Sequence, residues 1–483
     1  MRSTPQPRAQ PPGTPGPSGS PRIPLSRVDR AFLNMDRTNN PMVIVALIVL
    51  GAPLPRARLR VRIAERFAAH MRFTSVPVDG LAQAFWQPLG SFNIDDHVLS
   101  AALPAPGGQH ELEALVGELA SEPLPAGRPL WSFHIVEHFG RGSAIIARIH
   151  HCYADGIALV RVLLNLTDER RSRAGPAILT DLNVAAPRPP LAQATGWLTE
   201  ALGQGRRLTE AGLRLALHPE AATSAVGQAS TLVSELAHIA LLADDPPTHL
   251  KGPLCGIRRV AWGKSLSLAE VKTIGRVLGC TVNDVLIATL AGALGQYLQT
   301  LGDTTHGLTL RAAVPVDLRA NEPQDEPLGN RFGLVYVDLP VGVRHPLERL
   351  YRVQAAMRAL KGSEQALLTY GLLTTVGSLP RPLEDVVMDL FSAKASLVAS
   401  NLRGPHTALS IHGAPLRQVL FWVPQSGSIG LGVSMLSYHG RVHFGVMADR
   451  QIMPQPAELI TRIRAAFEQL VLLVLLGGSA LQS

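Results

Sequence analysis

One stretch of this chain restricts its fold more than any other. Residues 144–149 form a run of alanine and isoleucine, interrupted by Arg148, that leads through His150 and His151 into a short turn. An apolar helix is predicted to follow the turn and to begin at Gly156, where the missing side chain allows close packing against the strand. A buried strand followed directly by an apolar helix is typical of folds that layer helices on a sheet.

The same alternation of β-branched runs and Ala/Leu/Arg-rich helical stretches extends from residue 25 onward. Apolar residues make up 46% of the 483 residues and charged residues 17%, which excludes a fibrous or globally disordered protein. We therefore expect an α/β (α+β) fold of mixed sheets flanked by helices. The clearest predicted strands are 43–50, 131–137, 144–150 and a hairpin of 431–438 with 441–447, and the clearest predicted helices are 59–69, 111–121, 285–294 and 456–476.

Composition divides the chain into four parts. Residues 1–24 contain eight prolines and are predicted to be a disordered tail. Residues 25–186 and 251–483 have the mixed texture of folded domains, the first carrying the two histidines. Residues 187–250 lie between proline-rich ends, and the Ala/Leu-rich segments within them predict a helical crossover linker.

Charge and cysteine usage restrict the partners. The 45 Lys and Arg exceed the 37 Asp and Glu by eight, and this excess fits either a solvated surface or an anionic partner, such as a phosphate-bearing cofactor or an acidic membrane. Nucleic acid is disfavoured because aromatic residues are only 5% and the arginines are scattered. Three isolated cysteines argue against disulfides and structural zinc, and they favour a reducing compartment.

No stretch predicts a membrane-spanning helix or a signal peptide. The longest apolar run near the start, residues 41–52, is too short to cross a bilayer as a helix, and the N-terminal segment is proline-rich and polar. We expect a soluble or peripherally attached protein.

The two histidines at the end of the predicted strand carry the most specific chemical signal. If the strand continues to His151, period-two alternation places this imidazole on the apolar face of Ile145, Ala147 and Ile149. Loss of hydration there favours the neutral, basic form, which general-base catalysis requires. Asp155 can orient the loop or cap the following helix.

Other interpretations of the same residues remain open. His150 and His151 could both be hydrogen-bonded structural residues. A metal site with Asp155 is disfavoured, because adjacent strand residues point to opposite faces and no second ligand cluster appears, so we predict no metal.

The string His150-His151-xxx-Asp155-Gly156 resembles the HHxxxDG motif of the bacterial wax ester synthase/diacylglycerol acyltransferase family, part of the CoA-dependent acyltransferase superfamily. Condensation domains share this motif, so the surrounding blocks narrow the choice. In the family's order they are LSxxDxxFL at 25–33, PLW at 129–131, Asn283-Asp284, PVDLR at 315–319, Gly329-Asn330, SNLRGP at 400–405, and Ser437-Tyr438 through Asp449-Arg450. Gln455 stands where the family commonly has Asp, and the proline-rich tail is a second departure; both bear on the acceptor preference.

The resemblance implies two chloramphenicol-acetyltransferase-like halves with a tunnel at their interface. His151 would be the general base inside it, and His150, Asp155 and Gly156 would shape the loop, with a direct role for His150 left open. Asn283, Arg319 and Asn401 are candidate substrate-binding residues, although a helix-start, surface or turn role is equally open for them.

The implied activity is transfer of a fatty acyl group from acyl-CoA to diacylglycerol, with long-chain fatty alcohols as the alternative acceptor in wax ester synthesis. A non-catalytic protein that binds lipid or a membrane surface is the alternative of a different class, and the intact motif disfavours it. We expect acyl-CoA as co-substrate, no bound cofactor, and peripheral association with an anionic membrane, the inner face of the plasma membrane, or with a lipid-droplet surface.

Overall fold

The computed structural model describes residues 22–80, 83–168, 242–319, 329–361, 363, 365–377, 381–425 and 427–480. The strands within these ranges are β1 (Ile23–Pro24), β2 (Val43–Leu50), β3 (Ser75–Val78), β4 (Phe85–Pro88), β5 (Val98–Ala101), β6 (Trp131–Phe139), β7 (Gly142–His150), β8 (Arg258–Trp262), β9 (Leu266–Ser267), β10 (Leu310–Asp317), β11 (Phe332–Leu339), β12 (Leu397–Arg403), β13 (Ser410–Ile411), β14 (Ala414–Trp422), β15 (Leu431–Tyr438) and β16 (Arg441–Asp449). The helices are α1 (Arg27–Asn34), α2 (Arg56–Arg66), α3 (Gln109–Ser121), α4 (Gly156–Leu164), α5 (Leu268–Val277), α6 (Val282–Thr300), α7 (Pro346–Leu360), α8 (Gln365–Val376), α9 (Arg381–Ser392) and α10 (Pro456–Ala480), with 3-10 turns at Met71–Thr74 and Ile94–Asp96.

Two large sheets and one small sheet carry the described strands. The first large sheet has the order β13-β14-β2-β7-β6-β5, and the second has the order β11-β10-β12-β15-β16-β8 with β9 beside β16. The small sheet is β1-β4-β3. Strand β14 comes from the second half of the chain but pairs antiparallel with β2 of the first half. Backbone hydrogen bonds therefore join the two halves directly.

Strand β7 lies between two apolar layers. Ile145, Ala147 and Ile149 face a core that also contains residues of the second half, whereas Ala144 and Ile146 pack in a separate layer against α3. Burial on both faces explains why the sequence of this strand is almost continuously apolar. The alternation predicted from sequence is confirmed, and it directs the odd-numbered residues toward the interface of the halves.

The local predictions differ from the structure mainly at element ends. Strand β2 occupies residues 43–50 as predicted, whereas α2 begins directly after Pro55 and ends at Arg66, three residues before the predicted end. The predicted hairpin turn is confirmed, since His439 and Gly440 have φ of 45° and 72°, as a two-residue turn with two left-handed positions requires.

Two predictions fall at the edge of the described residues or outside them. Ile23 and Pro24, which the sequence assigned to the tail, form β1 and pair with Trp86 and Phe85 of β4. Most of the predicted crossover linker lies outside the described residues, and the described part, 242–250, contains no helix. No single helix among the described residues is long and apolar enough to span a membrane; α5 and α6 meet that length and composition only as a pair bent by 100°.

Candidate active site

A cavity lies between the two halves and contains about 790 Å³ of atom-free space, including the part that opens to solvent. Its walls come from α1, the β7–α4 loop, β10, β11, β12, α8 and α9, and they are mostly apolar. Three of the residues singled out from the sequence line it: His151, Asp155 and Gly156. The cavity thus lies at the interface where the family resemblance implied a tunnel.

His151 follows the last residue of β7 and is held on three sides. Its backbone N–H donates to the Met42 carbonyl at 2.7 Å. The ring of Phe32 stacks on the imidazole with centroids 4.0 Å apart and planes 15° apart, and Phe332 lies 5.6 Å away. Burial lowers the pKa of His151 to about 4, although the charge of Asp155 acts in the opposite direction. The imidazole is therefore neutral near pH 7, the form that accepts a proton.

Asn330 connects the His151 backbone to α1. Its side-chain amide donates to the His151 carbonyl at 2.7 Å and to Asp29 Oδ1 at 2.8 Å. Asp29 in turn lies within a helix that Ser26 caps, since the Asp29 N–H donates to Ser26 Oγ at 3.0 Å. The block at residues 25–33 therefore supplies both the clamp on Asn330 and, one turn later, the ring of Phe32.

Asp155 caps α4 and binds the second half of the chain. Oδ1 accepts from the Ala158 N–H at 2.8 Å, and Oδ2 accepts from Arg319 Nη2 at 2.5 Å and from the Arg331 N–H at 3.0 Å. Burial disfavours the carboxylate, but the charge and hydrogen bonds of Arg319 and the two backbone N–H groups outweigh burial, so the pKa of Asp155 lies below its ordinary value. The loop is thus held by an ionised, buried ion pair.

Gly156 differs from the sequence interpretation in one respect. An added Cβ would lie 3.6 Å from a methyl group of Val423 and 3.9 Å from one of Leu402, which is ordinary van der Waals contact. Close packing of helix against strand therefore does not require the glycine. Since Val423 and Leu402 both line the cavity, the missing side chain instead leaves space within it.

His150 makes its contacts within the loop and the neighbouring strand. Its Nδ1 accepts from the Cys152 N–H at 3.2 Å, and its backbone N–H donates to the Leu130 carbonyl at 2.9 Å. Nε2 lies 3.7 Å from Asp36 Oδ1. His150 is not among the described residues that line the cavity. These contacts are those expected of a residue that holds the loop in place. A direct catalytic role for His150 stays a prediction, and the imidazole does not contact the cavity.

The structure brings Asn283 and Asn401 together, but away from the cavity. Asn401 Nδ2 donates to Asn283 Oδ1 at 2.8 Å. On β12 the neighbours Ser400 and Leu402 line the cavity, so alternation places Asn401 on the opposite face of the sheet. Arg319 lies behind Asp155 as its ion-pair partner. None of the three is among the described lining residues, and their predicted contact with substrate stays a prediction.

The sequence interpretation missed Phe32, Asp29 and Asn330 as parts of the site. Each lies in a block whose resemblance to the family was noted, so a signal was present. What the blocks do not show is the spatial pairing: Asn330 bonds Asp29 across 301 positions and His151 across 179. The described part of the chain contains no group of three or more His, Cys, Asp or Glu side chains arranged to hold a metal ion.

Known proteins match this chain over most of its length. The family model for the wax ester synthase/diacylglycerol acyltransferase catalytic domain matches residues 25–286, and the WS/DGAT C-terminal domain model matches residues 328–471. The probable diacylglycerol O-acyltransferase tgs1 of Mycobacterium tuberculosis is 28% identical over 466 residues, which cover 92% of this chain and 95% of that protein.

Two solved structures show the same fold. The wax ester synthase/diacylglycerol acyltransferase from Marinobacter aquaeolei VT8 aligns with a TM-score of 0.64 at 20% identity and covers 94% of this chain and 100% of its own. The first condensation domain of the calcium-dependent antibiotic synthetase aligns with a TM-score of 0.56 at 14% identity and covers 94% and 96%.

Proposed function

The chain belongs to the wax ester synthase/diacylglycerol acyltransferase family, and we propose that it transfers a fatty acyl group from acyl-CoA to the free hydroxyl of diacylglycerol. The products are triacylglycerol and free CoA. Relatives that match nearly the whole chain carry the name diacylglycerol O-acyltransferase, which supports this acceptor. Long-chain fatty alcohols, whose acylation gives wax esters, are the alternative acceptor.

The observation that carries the proposal is a neutral imidazole buried in an apolar cavity built by both halves. An alcohol near neutral pH attacks a thioester slowly unless a base removes its proton in the transition state. His151 accepts that proton while the oxygen forms the new bond to the carbonyl carbon. When the C–S bond breaks, the imidazolium returns the proton to the departing CoA sulfur.

The surrounding residues supply orientation and charge stabilisation. Phe32 and the backbone bonds to Met42 and Asn330 hold His151 in place, so little reorganisation is needed at the moment of reaction. Among the described residues that line the cavity, Ser400 is the only one with a hydroxyl group. A hydrogen bond from this hydroxyl would stabilise the carbonyl oxygen as it gains negative charge. The apolar walls exclude water, which would otherwise hydrolyse the thioester.

The activity test is product analysis with purified protein. Incubation with palmitoyl-CoA and diacylglycerol should release free thiol and triacylglycerol, and hexadecanol in place of diacylglycerol tests the alternative acceptor. His151→Ala should lower turnover by roughly a hundredfold to ten-thousandfold, the contribution expected of a positioned base. His150→Ala is the matched control, since it changes the adjacent imidazole that lies outside the cavity. A folded His151→Ala variant with most of its activity would refute the mechanism, and absence of any ester product would favour a lipid-binding protein.

A location at a membrane or lipid-droplet surface on the cytoplasmic side is also part of the proposal. Leu472, Leu475 and Leu476 are 58%, 65% and 67% exposed and recur at helical spacing near the end of α10. An exposed apolar stripe of this kind favours burial at a lipid interface. Liposome flotation should recover the wild type, and a Leu475→Gln/Leu476→Gln variant should float less. Unchanged flotation would exclude this patch, and wild-type binding that resists high salt and alkaline carbonate would point to insertion rather than peripheral binding.

A further inference from the structure

A second cavity adjoins the one that contains His151. It holds about 430 Å³ of atom-free space, including the part that opens to solvent. Four residues line both cavities and form the junction between them: Ala313, Leu334, Leu373 and Met388. Beyond the junction the walls include Tyr336, Leu372, Phe391 and Ile429. We call this second cavity the side channel.

Strands β10 and β11 form a continuous floor from the base to the side channel. Their register pairs Asp317 with Phe332, Pro315 with Leu334, and Ala313 with Tyr336. Side chains two residues apart share a face, and each such step advances about 6.6 Å. Phe332 lies beside His151, so the floor extends about 13 Å from the base to the level of Ala313.

The polar groups at the far end of the path are bonded to the protein. The Tyr336 hydroxyl donates to the Phe391 carbonyl at 3.1 Å. The Thr369 hydroxyl accepts from the Leu334 N–H at 2.7 Å and donates to a backbone carbonyl, either of α8 or of Leu334. The third hydroxyl of the lining, that of Ser392, donates to a backbone carbonyl of α9 at 3.0 Å. These bonds satisfy the polar groups within the protein and leave a mainly apolar lining. Such a lining suits a saturated hydrocarbon chain and offers no partner for a polar headgroup.

We propose that the side channel receives the distal part of the donor's acyl chain and that Ala313 sets the chain length the enzyme accepts. This inference rests on the proposed function. The channel continues one path from the carbonyl position beside His151, which suits a single unbranched chain, whereas diacylglycerol carries two chains. An extended alkyl chain advances about 1.3 Å per carbon, given C–C bonds of about 1.5 Å. About ten carbons therefore reach Ala313, and longer chains must pass its methyl group into the side channel.

The test compares kcat/KM for palmitoyl-CoA and octanoyl-CoA with a fixed acceptor. Ala313→Leu fills the junction, so the palmitoyl-to-octanoyl ratio should fall at least about tenfold while octanoyl transfer persists. Val314→Leu is the matched control, because the neighbouring side chain packs in the opposite core and should leave the ratio unchanged. Leu373→Ala provides a second variant of opposite sign, since it widens the junction and should raise the ratio.

Each other outcome overturns the inference in a recognisable way. If Ala313→Leu alters the preference between octanol and hexadecanol but not between the acyl-CoAs, the side channel holds the acceptor chain instead. If the wild type is active and neither variant changes the donor ratio, the inference fails while the proposed function stands. If the wild type transfers no acyl group from either donor, both fail together.

Discussion

Removal of one partner of the Asp155–Arg319 ion pair should destabilise the protein strongly. The two side chains are 3% and 9% exposed, and the pair joins the catalytic loop to the second half of the chain. Asp155→Ala leaves the buried guanidinium with the more distant carboxylate of Asp317, 3.4 Å away, and Arg319→Ala leaves the Asp155 carboxylate with only its two backbone N–H donors. Breaking a buried pair in this way costs about 3–5 kcal/mol of unfolding free energy. Asp155→Ala should cost at least as much as Arg319→Ala, because it also removes the cap of α4.

Urea unfolding followed by tryptophan fluorescence measures these costs, with the double variant closing the cycle. Removal of both charges leaves neither member of this pair behind, and the contact of Arg319 with Asp317 is lost equally in Arg319→Ala. The double variant should therefore be more stable than the sum of the single losses predicts. Glu348→Ala is the control, because it breaks an ion pair between Glu348 and Arg352 whose two side chains are 52% and 60% exposed. The loss should lower the unfolding free energy by at most about 0.5 kcal/mol. Single variants as stable as this control would refute the reasoning, and so would strictly additive losses.

The same pair determines a pH dependence with a definite sign. The pKa of Asp155 lies below its ordinary value in the folded protein, because the charge and hydrogen bonds of Arg319 outweigh the effect of burial. The folded state therefore binds this proton less readily than the unfolded state. The stabilisation is complete above the ordinary aspartate pKa of about 3.9 and disappears as pH falls through the folded-state pKa. The difference in stability between wild type and Asp155→Ala should accordingly shrink below about pH 4.

Three further outcomes follow from the geometry. With the pKa of His151 lowered to about 4 by burial, kcat/KM should stay level from neutral pH to about pH 5 and fall below that as the imidazole is protonated; a decline centred near the ordinary histidine value of about 6.5 would contradict a buried base. Phe32→Leu removes the ring stacked on His151 and should lower kcat by up to about a hundredfold with little change in KM; a change in KM alone would show that the ring only binds substrate. Deletion of residues 1–21 should leave melting temperature and turnover nearly unchanged, whereas deletion of residues 1–24 also removes β1 and should lower the melting temperature; equal melting curves would show that β1 contributes nothing.

Local pattern predicted much of the fold, because period and turn chemistry act over a few residues. The apolar run of β2, the two-sided burial of β7 and the turn at His439-Gly440 all follow from neighbouring residues. The exchange of β14 into the first sheet does not, because nothing in the sequence of one strand specifies which distant strand it pairs with. The predicted end of α2 lies three residues beyond the observed one, because Ala68 and Ala69 favour helix as strongly as the residues before them.

In the candidate site, too, the features set by neighbouring residues could be predicted and those set by distant residues could not. Strand alternation predicted the apolar environment of His151, although β7 ends at His150 and His151 lies in the turn that follows. The capping role of Asp155 follows from its position before an apolar helix. The identity of its arginine does not, since Arg319 lies 164 positions away. For Asn401, alternation within β12 could have shown that it faces away from Ser400. Which face meets the cavity depends on the packing of the two halves.

The ion pair and hydrogen bonds around the loop that carries His151 indicate catalysis rather than lipid binding alone. A lipid-binding cavity needs apolar walls, and a buried ion pair adds little stability over well-packed apolar residues of similar volume. The Asp155–Arg319 pair instead fixes the geometry of the loop that carries His151. Asp155→Leu/Arg319→Met should therefore remain folded, with a loss of stability limited to the 3.4 Å contact between Arg319 and Asp317. It should still bind a fluorescent fatty acid, yet lose most of its turnover. Turnover close to that of the wild type in this folded variant would show that the pair is dispensable for positioning the base.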